Sequence, residues 1–168
     1  MEYVSQGKKP PFAREAALYA AGVAACAGIY VLLNQDLALS LLPHQAVLGY
    51  LFHFDFVFVE NVGYAQTEGL FTIARSCMGA KLFVNLYLLL VFGFLHKYAG
   101  AKRKIGAMLR FCFIALASAF AVTIARIAAS VPFCGWSRFT LIHNAISLAL
   151  YFSTGLVLYA LMERRANA

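Results

Sequence analysis

Charge is what this sequence has least of. Only 12% of its 168 residues are charged, and 7 of them are acidic. A soluble domain of this length carries about a quarter charged residues, so little composition is left for a separate soluble domain. Paired cysteines are missing too. Cys26, Cys77, Cys112 and Cys134 show no Cys-x-x-Cys or comparable spacing, which argues against a zinc site and against a dithiol redox machine. No internal repeat or low-complexity tract is evident. A cleaved leader is not expected, because the first apolar run is too long and no small-residue cleavage site follows it. The net charge of +7 would suit nucleic acid, but the basic residues form no single patch. They sit between apolar runs, as topology determinants do. The expected partner is the lipid bilayer, with no nucleic acid.

What is abundant is apolar: 62% of the chain. The pattern predicts an all-α fold, a polytopic membrane helix bundle making a single integral membrane domain over residues 1–168. About four spanning helices are expected, plus an interfacial or re-entrant segment. Residues 1–14 read as a short polar lead with Lys8, Lys9 and Arg14. Ala16 to about Leu33 is nearly all apolar and rich in small residues. At ~1.5 Å per residue it is about long enough to cross a ~30 Å hydrocarbon core. Residues 37–59 are interrupted by Pro43, His44, His53 and Asp55. A spanning helix there would bury ionisable groups at a cost of a few kcal/mol each. One or two helices lying in or dipping into the interface are expected instead, although residues 51–56 alternate with a period near two. Residues 60–76 read as a loop, with Ser76 as N-cap of a second span from Met78 to about His96. The third span runs from Ile105 to Ser130, and the fourth from Thr140 to about Met162.

Charge bias supports four crossings. With residues 37–59 not crossing, one side holds Lys8, Lys9, Arg14, Lys97, Lys102, Arg103, Lys104, Arg110, Arg164 and Arg165. The other side and its helix ends hold Arg75, Lys81, Arg126 and Arg138. That is ten against four, which makes the first side cytoplasmic. A fifth crossing would largely erase the bias.

The same threading brings Cys77, Arg126 and His143 to one side of the bilayer. Cys77 is expected in the first turn of the second span, Arg126 about one turn inside the end of the third, and His143 in the first turn of the fourth. A helix N-terminus and nearby cations favour the nucleophilic thiolate, with Lys81 or Arg126 as the cation. His143 is suited to take the thiol proton and return it to a leaving amine. Arg126 is suited to orient a scissile carbonyl or to stabilise an oxyanion. Each residue also has a plainer reading. Cysteine in a membrane helix is more often a packing residue, as expected for Cys26 and Cys112. Cys134 is a reserve nucleophile or disulfide partner. His44 and His53 read as interfacial. Arg126 is the hardest to read as inert, since an intramembrane cation is costly unless paired, hydrated or snorkelling. His143, Ser147, Tyr151 and Thr154 recur at helical spacing as one polar stripe facing the bundle; its plain reading is interhelical hydrogen bonding.

In this order the residues resemble the exosortase/archaeosortase family of membrane transpeptidases. The carriers are Cys77 at a helix start, Arg126-Ile127 in the third span and His143 at the head of the last. The short layout is most similar to the exosortase K type. The resemblance covers about Gly63 to the C-terminus. The family's Cys-Ser-Gly reads Cys77-Met78-Gly79 here, and Thr123 stands where the family often has Asn three residues before the Arg. The resemblance implies a cysteine peptidase or transpeptidase in the bacterial cytoplasmic (inner) membrane, with both termini cytoplasmic and the active site facing outward. Its substrates would be exported proteins bearing a C-terminal short motif, a membrane helix and a basic tail. Cys77 would form a thioester, and a second nucleophile would take the acyl group. No metal or organic cofactor is implied.

Two other classes compete. One is a non-catalytic small transporter or assembly subunit that uses Arg126 for ligand or helix contacts. The other is a haem protein ligated by His96 and His143, which the threading puts at opposite faces.

Overall fold

The computed structural model describes residues 12–167; the lead containing Lys8 and Lys9 lies outside them. The described chain is an all-α bundle with one small sheet. Its helices are α1 (Phe12–Gln35), α2 (Leu37–Phe52), α3 (Ala80–Phe94), α4 (Ala101–Ser130) and α5 (Phe139–Asn167). With their flanking turns, α1, α3, α4 and α5 are long and apolar enough to cross a membrane. The protein is therefore multi-pass, and the bilayer is its surroundings.

The spans run up and down, and α3 is the enclosed one. Its side chains Leu82, Phe83, Leu86, Tyr87 and Leu90 pack with Ala107, Phe111, Ala115 and Ala119 of α4. Of the most apolar stretch in each span, 61% is buried in α3 and 0% in α5. Large residues of α5 such as Leu148, Phe152 and Leu156 consequently point outward, which a lipid surround permits and water would not.

Between α1 and α3 the structure corrects the sequence reading. Residues 37–59 are not all helical, and residues 60–76 are not all loop. Helix α2 begins at Asp36, whose side chain accepts from the Leu39 N–H at 2.9 Å. At ~1.5 Å per residue its 16 residues extend about 24 Å, short of the hydrocarbon core. It ends at His53, in the left-handed region at φ 55°. Three antiparallel strands follow in order: β1 (Phe56–Val59), β2 (Gly63–Gln66) and β3 (Thr72–Ala74). The period-two alternation around Phe52, Phe54 and Phe56 was a strand signal, and aromatic packing holds the result. Phe54 stacks on Phe52, and Phe54, Phe56 and Phe71 meet edge to face. Gly63 sits at φ 129°, where a Cβ would lie 2.1 Å from the Ile73 carbonyl oxygen. The β2–β3 approach at that point requires glycine. Tyr64 donates to the Ala38 carbonyl at 3.3 Å, fixing the sheet over α2.

Candidate active site

Cys77 is not in the first turn of a helix. It ends a 3-10 turn, Arg75–Cys77, and Gly79 precedes α3 in place of the expected Ser76 cap. Gly79 has φ 74°, and a Cβ there would lie 2.5 Å from Thr123 Oγ1 and 3.1 Å from the Ala119 carbonyl oxygen. The missing side chain lets the start of α3 press directly onto α4. Thr123 is fully buried and donates to Ala119 O at 2.7 Å within its own helix. This contact seats the turn carrying Cys77 against the last turns of α4. Cys77 itself is 9% exposed and packs with Met78, Ile73 and Ile127.

Arg126 emerges from that part of α4 and is 6% exposed. Its Nη1 donates to the Tyr151 hydroxyl at 2.7 Å, and its Nη2 donates to the Ser76 carbonyl at 3.3 Å. The guanidinium carbon lies 5.6 Å from the Tyr151 ring centroid. Among the described residues the buried Nε has no partner, and no carboxylate pairs with the group. Arg126 thus reaches the backbone one residue before Cys77 and ties α4 to both α3 and α5.

His143, in the first turns of α5, is half-buried, and its Nδ1 lies 3.0 Å from Ser130 Oγ. Ser130 is buried and donates to the Arg126 carbonyl at 2.8 Å. A hydroxyl has one hydrogen. With that hydrogen committed to Arg126 O, Ser130 Oγ accepts from His143, so Nδ1 carries the proton and Nε2 keeps the lone pair. The Phe139 ring stacks on the imidazole with centroids 5.6 Å apart.

Thiol and imidazole meet at one cavity of about 290 Å³. Cys77, Ser76, Ser130, Cys134 and His143 line it, together with Leu70–Thr72. Arg126 is behind the wall and connects to the cavity through Ser76 O and Ser130. The three expected residues therefore converge on one end of the bundle, two at the cavity and one just beneath it.

Other expectations divide. Cys134 is a free thiol at the cavity, its Sγ directed at the Ser130 carbonyl at 3.9 Å, and burial pushes its pKa up. Within the polar stripe of α5, only His143 and Tyr151 bond across to α4. Ser147 and Thr154 donate to the carbonyls of His143 and Leu150 in their own helix. His44 is buried, not interfacial, and meets the Phe120 ring edge-on. His96 follows α3 at the far end from His143, so no haem bridges them. Among the described residues no group of three His, Cys, Asp or Glu side chains gathers to hold a metal.

The sequence reading missed Ser130 and the partners of Arg126. Ser130 stands four residues after Arg126, hence on the same helix face, and that spacing was the available signal. Comparison with protein-family models, curated proteins and solved structures gives no match to this chain.

Proposed function

We propose that the protein is a membrane-embedded cysteine peptidase or transpeptidase that cleaves C-terminal sorting signals of exported proteins. The observation that carries the reading is the convergence of Cys77, His143 and Arg126 from three different spans. In the reaction, His143 Nε2 takes the Cys77 proton as sulfur attacks the scissile carbonyl carbon. The C–N bond then breaks, and the same proton passes to the leaving amine. A thioester remains on Cys77 until water or an acceptor amine attacks it and the thiol is restored. Arg126 holds the Ser76–Cys77 backbone, and its positive field favours the negative charge that develops there. Charge distribution supports an outward-facing site. Arg14, Lys97, Lys102, Arg103, Lys104, Arg110, Arg164 and Arg165 belong to the opposite end, which the positive-inside rule assigns to the cytoplasm.

The test is co-expression with an exported reporter ending in a short motif, a membrane helix and a basic tail. Cys77→Ala and His143→Ala are expected to abolish processing while membrane insertion stays normal. One observation favours a second reading, an assembly subunit: two of the Arg126 donors are satisfied within the chain. That reading requires Cys77→Ala to be silent and Arg126→Ala to disrupt the bundle.

A further inference from the structure

The end of the bundle opposite Cys77 has its own cavity, of about 320 Å³. Lys97 after α3, Arg110 of α4 and Arg165 of α5 all line it, and no Asp or Glu does. All three cations are exposed. The one ion pair among the described residues joins Lys104 to Glu15, so none of these three meets a described carboxylate. An anion seated among them would relieve their mutual repulsion. Two guanidinium forks and an ammonium suit phosphate oxygens, which accept paired hydrogen bonds from Arg and a point charge from Lys.

The rest of the lining decides what carries the phosphate. Phe94, Phe111, Ile114 and Met162 form an apolar wall beside the cations. A free inorganic anion gains nothing from such a wall, whereas an amphiphile does. The cavity also lies at the ends of α3 and α5 and within the first turns of α4, and basic pockets between spans on the side rich in Lys and Arg take anionic lipid headgroups. We propose that this cavity is a binding site for one anionic phospholipid. Its phosphate sits among Lys97, Arg110 and Arg165, and its first methylenes lie on the partly exposed Ile114 and Met162. The site is independent of the proposed peptidase reaction.

The test uses the full-length protein in mild detergent, with bound lipid counted by native mass spectrometry. The probes are phosphatidylglycerol, phosphatidylcholine and inorganic phosphate. Wild type should retain one phosphatidylglycerol in preference to phosphatidylcholine. Each of K97Q, R110Q and R165Q should weaken retention about 5-fold, and the triple variant roughly 100-fold. K102Q/R103Q, on the same end but away from the cavity, should retain lipid as wild type does. Equal retention of the two lipids, or a triple variant indistinguishable from wild type, overturns the site. Inorganic phosphate that displaces the lipid at equal concentration overturns the lipid assignment in favour of a soluble anion. If the triple variant does not fold, the single variants decide, and no change in all three overturns the proposal.

Discussion

Two buried cations of this bundle are treated in opposite ways. Lys104, 4% exposed, meets the Glu15 carboxylate, with Nζ to Oε1 at 2.6 Å. Arg126, 6% exposed, meets neutral acceptors alone among the described residues, a phenol and a backbone carbonyl. The first arrangement cancels a charge, and its effect ends there. The second leaves positive field directed at the Ser76–Cys77 turn. A third buried ionisable group, His44, has no partner on either ring nitrogen. Burial, and after it the nearby Arg126 charge, lowers its pKa to about 4, so it is neutral at pH 7. Stability alone asks for neutralisation, by a partner or by losing the proton. Among the described residues Arg126 has neither, which is what the proposed function asks of its cation.

The contrast can be broken most directly by removing each cation. Arg126→Met should lower reporter processing by about 10²–10³-fold, the usual loss of a group that stabilises developing charge. Lys104→Met should change processing less than threefold, and equal losses would erase the distinction. Next in size, Glu15→Gln strands the Lys104 ammonium. The unfolding free energy in detergent should fall by about 3 kcal/mol, at the low end for a broken buried pair because Glu15 is one-third exposed. A Glu15→Leu/Lys104→Met double variant should recover most of it, and failure to recover would mean that the pair is not what holds α1 to α4.

Acid should act through His44. A histidine whose folded pKa is depressed gives full stability above its unfolded value near 6.5, and loses it as pH falls toward 4. From pH 6.5 to 5 the loss is about 1.5 kcal/mol, because the slope of ~1.36 kcal/mol per unit is reached only once the unfolded imidazole is fully protonated. Melting scans across that window should show the decline in wild type and a flat response in His44→Phe. A wild type with no decline between pH 6.5 and 5 would contradict the buried neutral imidazole. The smallest effects belong to the groups that orient the site. Tyr151→Phe and Ser130→Ala each remove a hydrogen bond of about 1 kcal/mol. Each should lower kcat about 5-fold with KM unchanged, and a change confined to KM would assign them to substrate binding instead.

The four spans and the shared side of Cys77, Arg126 and His143 were legible because hydropathy and charge bias act at the scale of whole helices. The sheet was not. Its strands are three or four residues long, and their pairing depends on contacts far apart in sequence, such as Tyr64 on Ala38. Ser76 looked like a cap by residue type. The cap went to Gly79 because a close helix crossing at Thr123 left no room for a side chain. Hydrogen-bond partners were equally out of reach. That Arg126 would find Tyr151 and Ser76, and Ser130 would find His143, depends on how α3, α4 and α5 are rotated against each other.

Gln66 is a quiet residue with reach. It is buried, and its side-chain oxygen accepts from the Leu70 N–H at 3.1 Å, clasping the short loop that brings Leu70–Thr72 to the wall of the thiol cavity. Thr72 opens β3, which runs directly into the 3-10 turn carrying Cys77, so the loop and the thiol belong to one continuous piece of chain. On the proposed function, a change in that loop would shift both the peptides admitted and the seat of the sulfur, so selectivity could not drift without some retuning of the chemistry.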